Sequence, residues 1–376
     1  MHYITTQKRS AQLLVSLALA FPSSALFAQQ SASSVTLYGR VDTSVIVQSG
    51  RGTAGPQTSI GSGAFQPSLF GFKGQEDLGD GVRAVFNLES TIASDTGAQG
   101  NASRLFDRAS FVGLASNTLG TLTLGRQFTP LAELFYATDP LKAGNGMTNM
   151  NVRFSYLGGA GPRIAGNFGP NATLAGNNLD RQDNSLKYNY RNQAGLVASA
   201  MYAFGESANG HSASDAASAL LGYDNGPLKL RGAGMRFHDA KGVPFNAYAL
   251  GAAYQLNSTL TAKLTGAKNK IVSDLAAYGN QTTKVYSTGL SWTARPDLVV
   301  SAAYYYGERG IDHTDKQIAR KFYLVPEYKL SVRTSLYAVL NFERFNAAGW
   351  QLDTGTPLQA GAPHSNYLAM GISHNF

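Results

Sequence analysis

The chain has 376 residues, a formal net charge of +8 at pH 7 and no cysteine, which excludes a disulfide framework, thiolate chemistry and a cysteine-based metal site. Past the N-terminal segment no apolar run approaches the ~18–20 residues that a transmembrane helix needs, so a helical membrane protein is excluded. Its mean hydropathy of −0.15 does not separate a soluble protein from strands whose faces alternate between lipid and water, and periodicity has to decide.

The first segment, MHYITTQKRSAQLLVSLALAFPSSALFAQQ, sets Lys8 and Arg9 before an apolar run from Leu13 to Phe21 and then small residues. That order is expected of a secretory signal peptide, residues 1–28, with cleavage after Ala28 and a competing site at Ser23 to Ala25. Loss of Lys8 and Arg9, with no acid removed, leaves 29 basic against 23 acidic residues in a mature chain that starts near Gln29.

From Val35 to Val47 the pattern has a period of two: Val35, Leu37, Gly39, Val41 and Val45 share one face, and Thr36, Tyr38, Arg40, Asp42 and Ser44 the other. The pattern recurs near 67–74, 82–92, 106–115, 120–128, 184–191, 195–204, 216–223, 228–237, 245–256, 259–268, 282–292, 298–307, 319–330, 333–343 and 366–376, which predicts sixteen strands. The connections alternate between short turns rich in Asn, Asp, Gly and Pro, such as QEDLGDG, DNGP and TARPD, and long loops. A sandwich has no reason to sort its connections in this way. An outer-membrane barrel does, with short turns on the periplasmic side and long loops outside. Tyr and Phe cluster at strand ends, as in AYQL, AAYYYG and KFYLVPEY, where aromatic girdles would stand at the two interfaces.

Between Phe128 and Asn184 neither period persists. A connection far beyond ~15 residues in a compact fold is functional or disordered. Residues 129–183 are therefore read as an insertion that folds into the lumen of the barrel and narrows it.

SSVTLYGRVD, SLFGFKGQEDLGDGVRAVFNLES, LFDRASFVGLAS with GTLTLGRQFTP, and the terminal NYLAMGISHNF resemble the trimeric general-diffusion porins of Gram-negative bacteria, closest to the beta-proteobacterial type. The resemblance covers the whole mature chain. It implies a 16-stranded antiparallel transmembrane β-barrel in the outer membrane, with a third long loop that folds inward opposite a ladder of basic wall residues. It implies a homotrimer latched by the loop near 93–105, outer-membrane lipid and lipopolysaccharide around it, and small hydrophilic solutes and ions passing through. Phe376, which ends a strand bearing Leu368, Met370 and Ile372 on one face, would be the signal read by the barrel-assembly machinery.

Carried over by position, Arg108, Arg126 and Arg181 match wall arginines of the family, whereas Leu69 stands where an arginine is common and Lys73 partly replaces it. Alternation independently turns Arg40, Lys187 and Lys263 inward. Arg126 fails that test, because it shares the parity of Leu122 and Leu124, and it can face the lumen only if Gly125 permits a bulge or the strand ends there. Set against Asp42 and the loop acids Glu133 and Asp139, the basic set Arg40, Lys73, Arg108, Arg126, Arg181 and Lys187 leaves a positive excess and an expected preference for anions.

Enzyme chemistry finds no support. His211, His238, His313, His364 and His374 lack a histidine partner at ligand spacing, and no metal or other cofactor is expected. No nucleophile elbow, P-loop or dinucleotide fingerprint is present. Asp239 beside His238 is the one pair suggestive of a hydrolase. Basic residues without an aromatic stacking platform make nucleic acid an unfit partner. Two alternatives to a general channel stay open: a substrate-specific channel, and a surface adhesin or antigen with an incidental pore.

Overall fold

The computed structural model describes residues 33–50, 55–144, 149–151, 179–206, 215–238, 244–271, 280–312, 315–346 and 363–376. The expected signal peptide and the middle of the insertion lie outside these residues. In chain order the described residues form β1 (Ser34–Gln48), β2 (Gln57–Ser62), β3 (Leu69–Gly79), β4 (Val82–Thr91), β5 (Ala109–Ser116), β6 (Gly120–Phe128) and the helix α1 (Pro130–Thr138). They continue as β7 (Arg181–Arg191), β8 (Leu196–Ala203), β9 (Ala216–Asn225), β10 (Leu228–His238), β11 (Pro244–Gln255) and β12 (Leu260–Ile271). The last five are β13 (Gln281–Arg295), β14 (Leu298–Ile311), β15 (Gln317–Lys329), β16 (Thr334–Phe345) and β17 (His364–Asn375).

Sixteen of these strands close a barrel, as the alternation predicts. Each of β3 to β17 pairs antiparallel with the next, and β17 returns to β1 from Arg40↔Asn375 to Gln48↔Tyr367. The additional strand, β2, covers the loop half of β1 (Thr43↔Ser62 to Gln48↔Gln57), while β3 covers the other half (Ser34↔Gln75 to Arg40↔Leu69). Closure leaves none of the sixteen barrel strands at an open edge, the condition for crossing lipid with strands. No helix among the described residues is long and apolar enough to cross a membrane.

The wall is inverted relative to a soluble protein. On β11 the inward residues Ala247, Ala249 and Ala253 are buried, whereas Tyr248 and Leu250 are 60% and 72% exposed on the outer face. An apolar side chain left exposed costs nothing when the surrounding medium is hydrocarbon, so the exposed leucines mark the lipid side. Exposed aromatics edge this band at both ends: Tyr223, Tyr254, Trp292 and Tyr328 near the short turns, and Tyr202, Tyr248, Tyr286, Phe322 and Phe342 near the long loops. Between β3 and β4, Asp80 and Gly81 both have positive φ (51° and 74°), the conformation that a two-residue hairpin turn demands.

Candidate functional site

The insertion leaves the wall at Thr129 and returns at Asp180. Its two necks are zipped together, Thr129 N–H donating to the Asp180 carbonyl at 2.9 Å and Thr129 Oγ1 to the Leu179 carbonyl at 2.5 Å. Thr129 is also the N-cap of α1, its Oγ1 accepting from Ala132 N at 3.1 Å, and Pro130 stands where a missing N–H costs nothing. The apolar side of α1, Leu131, Leu134 and Phe135, is buried against the inner faces of β8 to β12. At its far end Thr138 meets Thr265 of β12, Oγ1 to Oγ1, at 3.0 Å.

The chain then turns at Asp139, whose carboxylate collects five donors: Leu141 N at 2.9 Å, Ala143 N at 2.8 Å, Asn149 Nδ2 at 3.1 Å, Asn151 Nδ2 at 2.7 Å and Tyr305 Oη at 2.9 Å. Asn151 donates as well to Ser287 Oγ of β13 at 3.0 Å. A segment that starts between β6 and β7 and is fastened to β12, β13 and β14 spans the bore. Asp139 is 0% exposed and presents no charge to open water, which corrects its expected place as an eyelet acid: it is the anchor of the turn. Complete burial pushes its carboxyl above the ordinary range, against the pull of the surrounding donors.

Wall cations face this segment, and most of the expected ones carry a carboxylate partner. Arg108 Nε meets Glu89 Oε1 at 2.6 Å, and Tyr38 Oη donates to the other oxygen of Glu89 at 2.8 Å. Arg181 pairs with Asp180, donates to the Arg108 carbonyl at 2.9 Å and lies 4.0 Å from the centre of the Phe128 ring. Lys187 pairs with Glu133 of α1 and donates to the Phe128 carbonyl at 2.9 Å. The carboxylates Glu89 and Asp180 were absent from the charge balance read from sequence, so Arg108 and Arg181 contribute less net field than expected.

Other cations have no carboxylate within ion-pair distance among the described residues. Arg40 donates to the neutral groups Asn375 Oδ1 at 2.9 Å and Gln66 Oε1 at 3.3 Å, and the uncharged Leu69 is its cross-strand neighbour on β3. Arg40 and Lys142 look into one cavity of about 270 Å³, together with Pro140, Ser301 and Glu327. Lys73 lies 5.0 Å from the centre of the Tyr38 ring and lines a space of about 750 Å³ with Asn87, Gln127 and Glu133. Lys229 lines a third space, of about 680 Å³, beside Tyr136 and Arg231. Lys263, turned inward as alternation requires, donates to the Asp139 carbonyl at 3.0 Å and has Lys142 and Lys229 as like-charged neighbours.

The family model for Gram-negative porins matches residues 14–348. The chain belongs to the Gram-negative porin family. It is 31% identical over 339 residues to outer membrane porin protein 32 of Delftia acidovorans, with 88% of each chain covered. It is 27% identical over 364 residues to the major outer membrane protein P.IB of Neisseria meningitidis, covering 91% of this chain and 94% of the other. Among solved structures, the anion-selective porin from Comamonas acidovorans superimposes with a TM-score of 0.75 at 28% identity, over 92% of this chain and 100% of that one. The protein is thus an outer-membrane porin, a barrel through which small hydrophilic solutes diffuse passively.

In this porin Arg126 departs from the expected ladder. Gly125 pairs with Ser185 and Gln127 with Gln182, two steps along β6 against three along β7, so the extra residue sits in β7, where Asn184 has a φ of 52°. The pairing of β6 with β5 stays regular, and Arg126 remains on the side of the exposed Leu122 and Leu124, opposite the inward Gln127. There it meets Asp183 at 2.8 Å, which also holds Arg104 at 2.7 Å. Parity alone puts Arg126 on the outer side, and the irregularity in β7 does not turn it inward.

The acids missed by the sequence reading left a faint trace, since Glu89 alternates with the inward Asn87. Lys229 could have been found from its place between Leu228 and Leu230. His238 is held by Asp215 at 2.5 Å, and Asp239 lies outside the described residues. No group of three or more His, Asp or Glu among the described residues could hold a metal ion.

Proposed function

We propose that the porin is an anion-preferring general-diffusion channel, with residues 129–183 as its constriction. The observation that carries this is a set of cations that, among the described residues, have no carboxylate within ion-pair distance: Arg40, Lys73, Lys229 and Lys263 on the wall and Lys142 on the insertion itself. Unbalanced charge on low-dielectric walls raises the local concentration of the opposite ion. The likeness to an anion-selective porin supports the same reading. Arg108, Arg181 and Lys187 then serve mainly to order the wall and the base of α1 through their pairs with Glu89, Asp180 and Glu133.

The porin assembles as a homotrimer, with the loop near 93–105 as its latch. Support comes from where that loop is rooted. Ser94 Oγ lies 2.7 Å from Thr43 Oγ1 and 3.0 Å from Ser62 Oγ on the outer side of β1 and β2, and the loop tip is exposed. Hydroxyls on an otherwise apolar outer wall suit a contact between copies better than hydrocarbon. Migration on a gel without boiling checks the assembly: a trimer-sized band is expected, and a monomer-sized band would oppose it.

The channel reading is tested with purified protein in a planar bilayer. A stepwise single-channel conductance and a zero-current potential of anionic sign in a salt gradient are expected. A cationic sign would overturn the preference, and no conductance would overturn the channel.

A further inference from the structure

The cavity of about 270 Å³ beside the insertion holds charges of both signs that do not meet. Arg40 of β1 and Lys142 of the insertion face it, and so does Glu327 of β15. Glu327 stands two residues from the buried, inward Val325, so alternation turns it to the lumen as well. Among the described residues no cation lies within ion-pair distance of Glu327, although its charge is near enough to act on Arg40.

A carboxylate and a guanidinium this close would ordinarily join in an ion pair, and here the wall keeps them apart. β1 and β15 are separated by β17 and β16, three strand spacings of ~4.8 Å. Arg40 is tied on its own side, donating to Asn375 Oδ1 at 2.9 Å and to Gln66 Oε1 at 3.3 Å. Lys142 is fixed by the turn that Asp139 anchors. Its N–H donates to the Asp139 carbonyl at 3.0 Å, and its φ of 55° lies in the left-handed region, where a residue with a side chain is strained. Asp42, on the same strand as Arg40, is fully buried and accepts from Tyr337 Oη at 2.7 Å and Gln66 N at 3.2 Å, which leaves Glu327 as the acid open to a solute. Leu141, Val299 and Val325 add an apolar part to the lining.

We propose that this cavity is a binding subsite for zwitterionic α-amino acids with small aliphatic side chains, the solute's carboxylate meeting Arg40 and Lys142 and its ammonium group Glu327. A simple anion satisfies the cations but brings its charge toward an unpaired carboxylate, and an uncharged solute satisfies neither pole. A zwitterion makes charge-assisted hydrogen bonds to both, and poles held apart in advance need no rearrangement to receive it. Glu327 is thus the residue that distinguishes an amino acid from a hydroxy acid of the same size. The subsite deepens the channel reading and rests on it: the unpaired cations admit carboxylates, and Glu327 selects those that also carry an ammonium group.

The test records single-channel current of the purified porin in a planar bilayer, at low salt and neutral pH, while L-alanine, lactate or lactamide is added. These three solutes are nearly one size and differ in their charged groups. Alanine should reduce the current at a half-saturating concentration about tenfold below that of lactate or lactamide. Glu327→Gln should bring alanine level with lactate, Glu327→Asp should keep part of the difference, and Lys142→Gln should weaken alanine and lactate alike. Before any solute is added, Glu327→Gln should also make the zero-current potential in a salt gradient more anionic, since an inward carboxylate is gone. Equal half-saturation by the three solutes in the wild type, an alanine response that Glu327→Gln leaves unchanged, or an unchanged potential in that variant would overturn the proposal. Where Glu327→Gln gives no folded barrel, the wild-type titrations and Glu327→Asp decide. A wild type without current would sink the channel reading and the subsite with it, whereas indifferent titrations on a conducting channel sink the subsite alone.

Discussion

Phe376 lays its ring across Gly39. The two residues exchange backbone hydrogen bonds of 3.1 Å in each direction, and a Cβ added to Gly39 would stand 2.4 Å from the Phe376 ring and 2.7 Å from the Leu69 carbonyl. The seam that closes the barrel therefore ends on the last residue of the chain, in a notch that only glycine leaves open.

Gly39→Val should hinder closure of this seam, because the ring can swing aside but the Leu69 backbone cannot. Refolding into detergent should give a lower fraction of heat-modifiable barrel, whereas Val41→Ala, on the same face of β1, should refold like the wild type. An undiminished yield for Gly39→Val would remove the notch from the account of assembly.

Asp139→Ala should free the turn of the insertion. Buried donors left without an acceptor cost about 1–3 kcal/mol each, and five donors converge on this carboxylate. The turn should move into solvent, so conductance and current noise should rise while the barrel stays folded. Tyr305→Phe removes one donor and should have a smaller effect in the same direction. Unchanged conductance in both variants would mean that other contacts position the insertion.

Asp139 also predicts a pH dependence. Its folded-state pKa is raised by burial above the ordinary value near 3.9, so the folded protein holds a proton that the unfolded chain releases. Its contribution is complete below about pH 3.9 and is lost as pH rises through the raised value. Relative to the non-titrating Asp139→Asn, the wild type should gain stability on acidification across that window. A stability difference between the two that does not vary with pH would contradict the shift.

The barrel was legible because its signal is repeated: period two in every strand, and connections sorted by length. Strand ends shifted by a few residues, and β2 went unread because a short strand in a loop carries too little periodicity. The site was less legible. Alternation gives the side of a residue, but it cannot show that Glu89 stands within reach of Arg108. Nor can it show in which strand a bulge falls, which decided Arg126. Asp139 read as an acid of the constriction because Tyr305 comes from β14, far along the chain, and the turn that brings Asn149 and Asn151 back to it carries no periodic signal.

Arg126→Ala should leave ion preference nearly unchanged, since its partner Asp183 and its place beside Leu124 keep it out of the pore field. The same substitution should lower thermal stability by leaving Asp183 with one guanidinium fewer. A loss of selectivity equal to that of a lumen cation would return Arg126 to the pore wall.

The central claim is that cations without carboxylate partners set the preference of the pore. Two unit charges ~4 Å apart interact by about 4 kcal/mol at an effective dielectric of ~20, so even a partly screened set biases permeation. The screening length falls from ~10 Å at ~0.1 M salt to ~3 Å at ~1 M, and the bias should fall with it. The decisive measurement is the zero-current potential in a salt gradient, taken for the wild type and for Arg40→Ala, Lys142→Ala, Lys263→Ala and Arg108→Ala. An anionic potential is predicted for the wild type, shrinking at high salt, with larger reductions in the first three variants than in Arg108→Ala. A cationic potential, or one that all four substitutions leave untouched, would contradict the account.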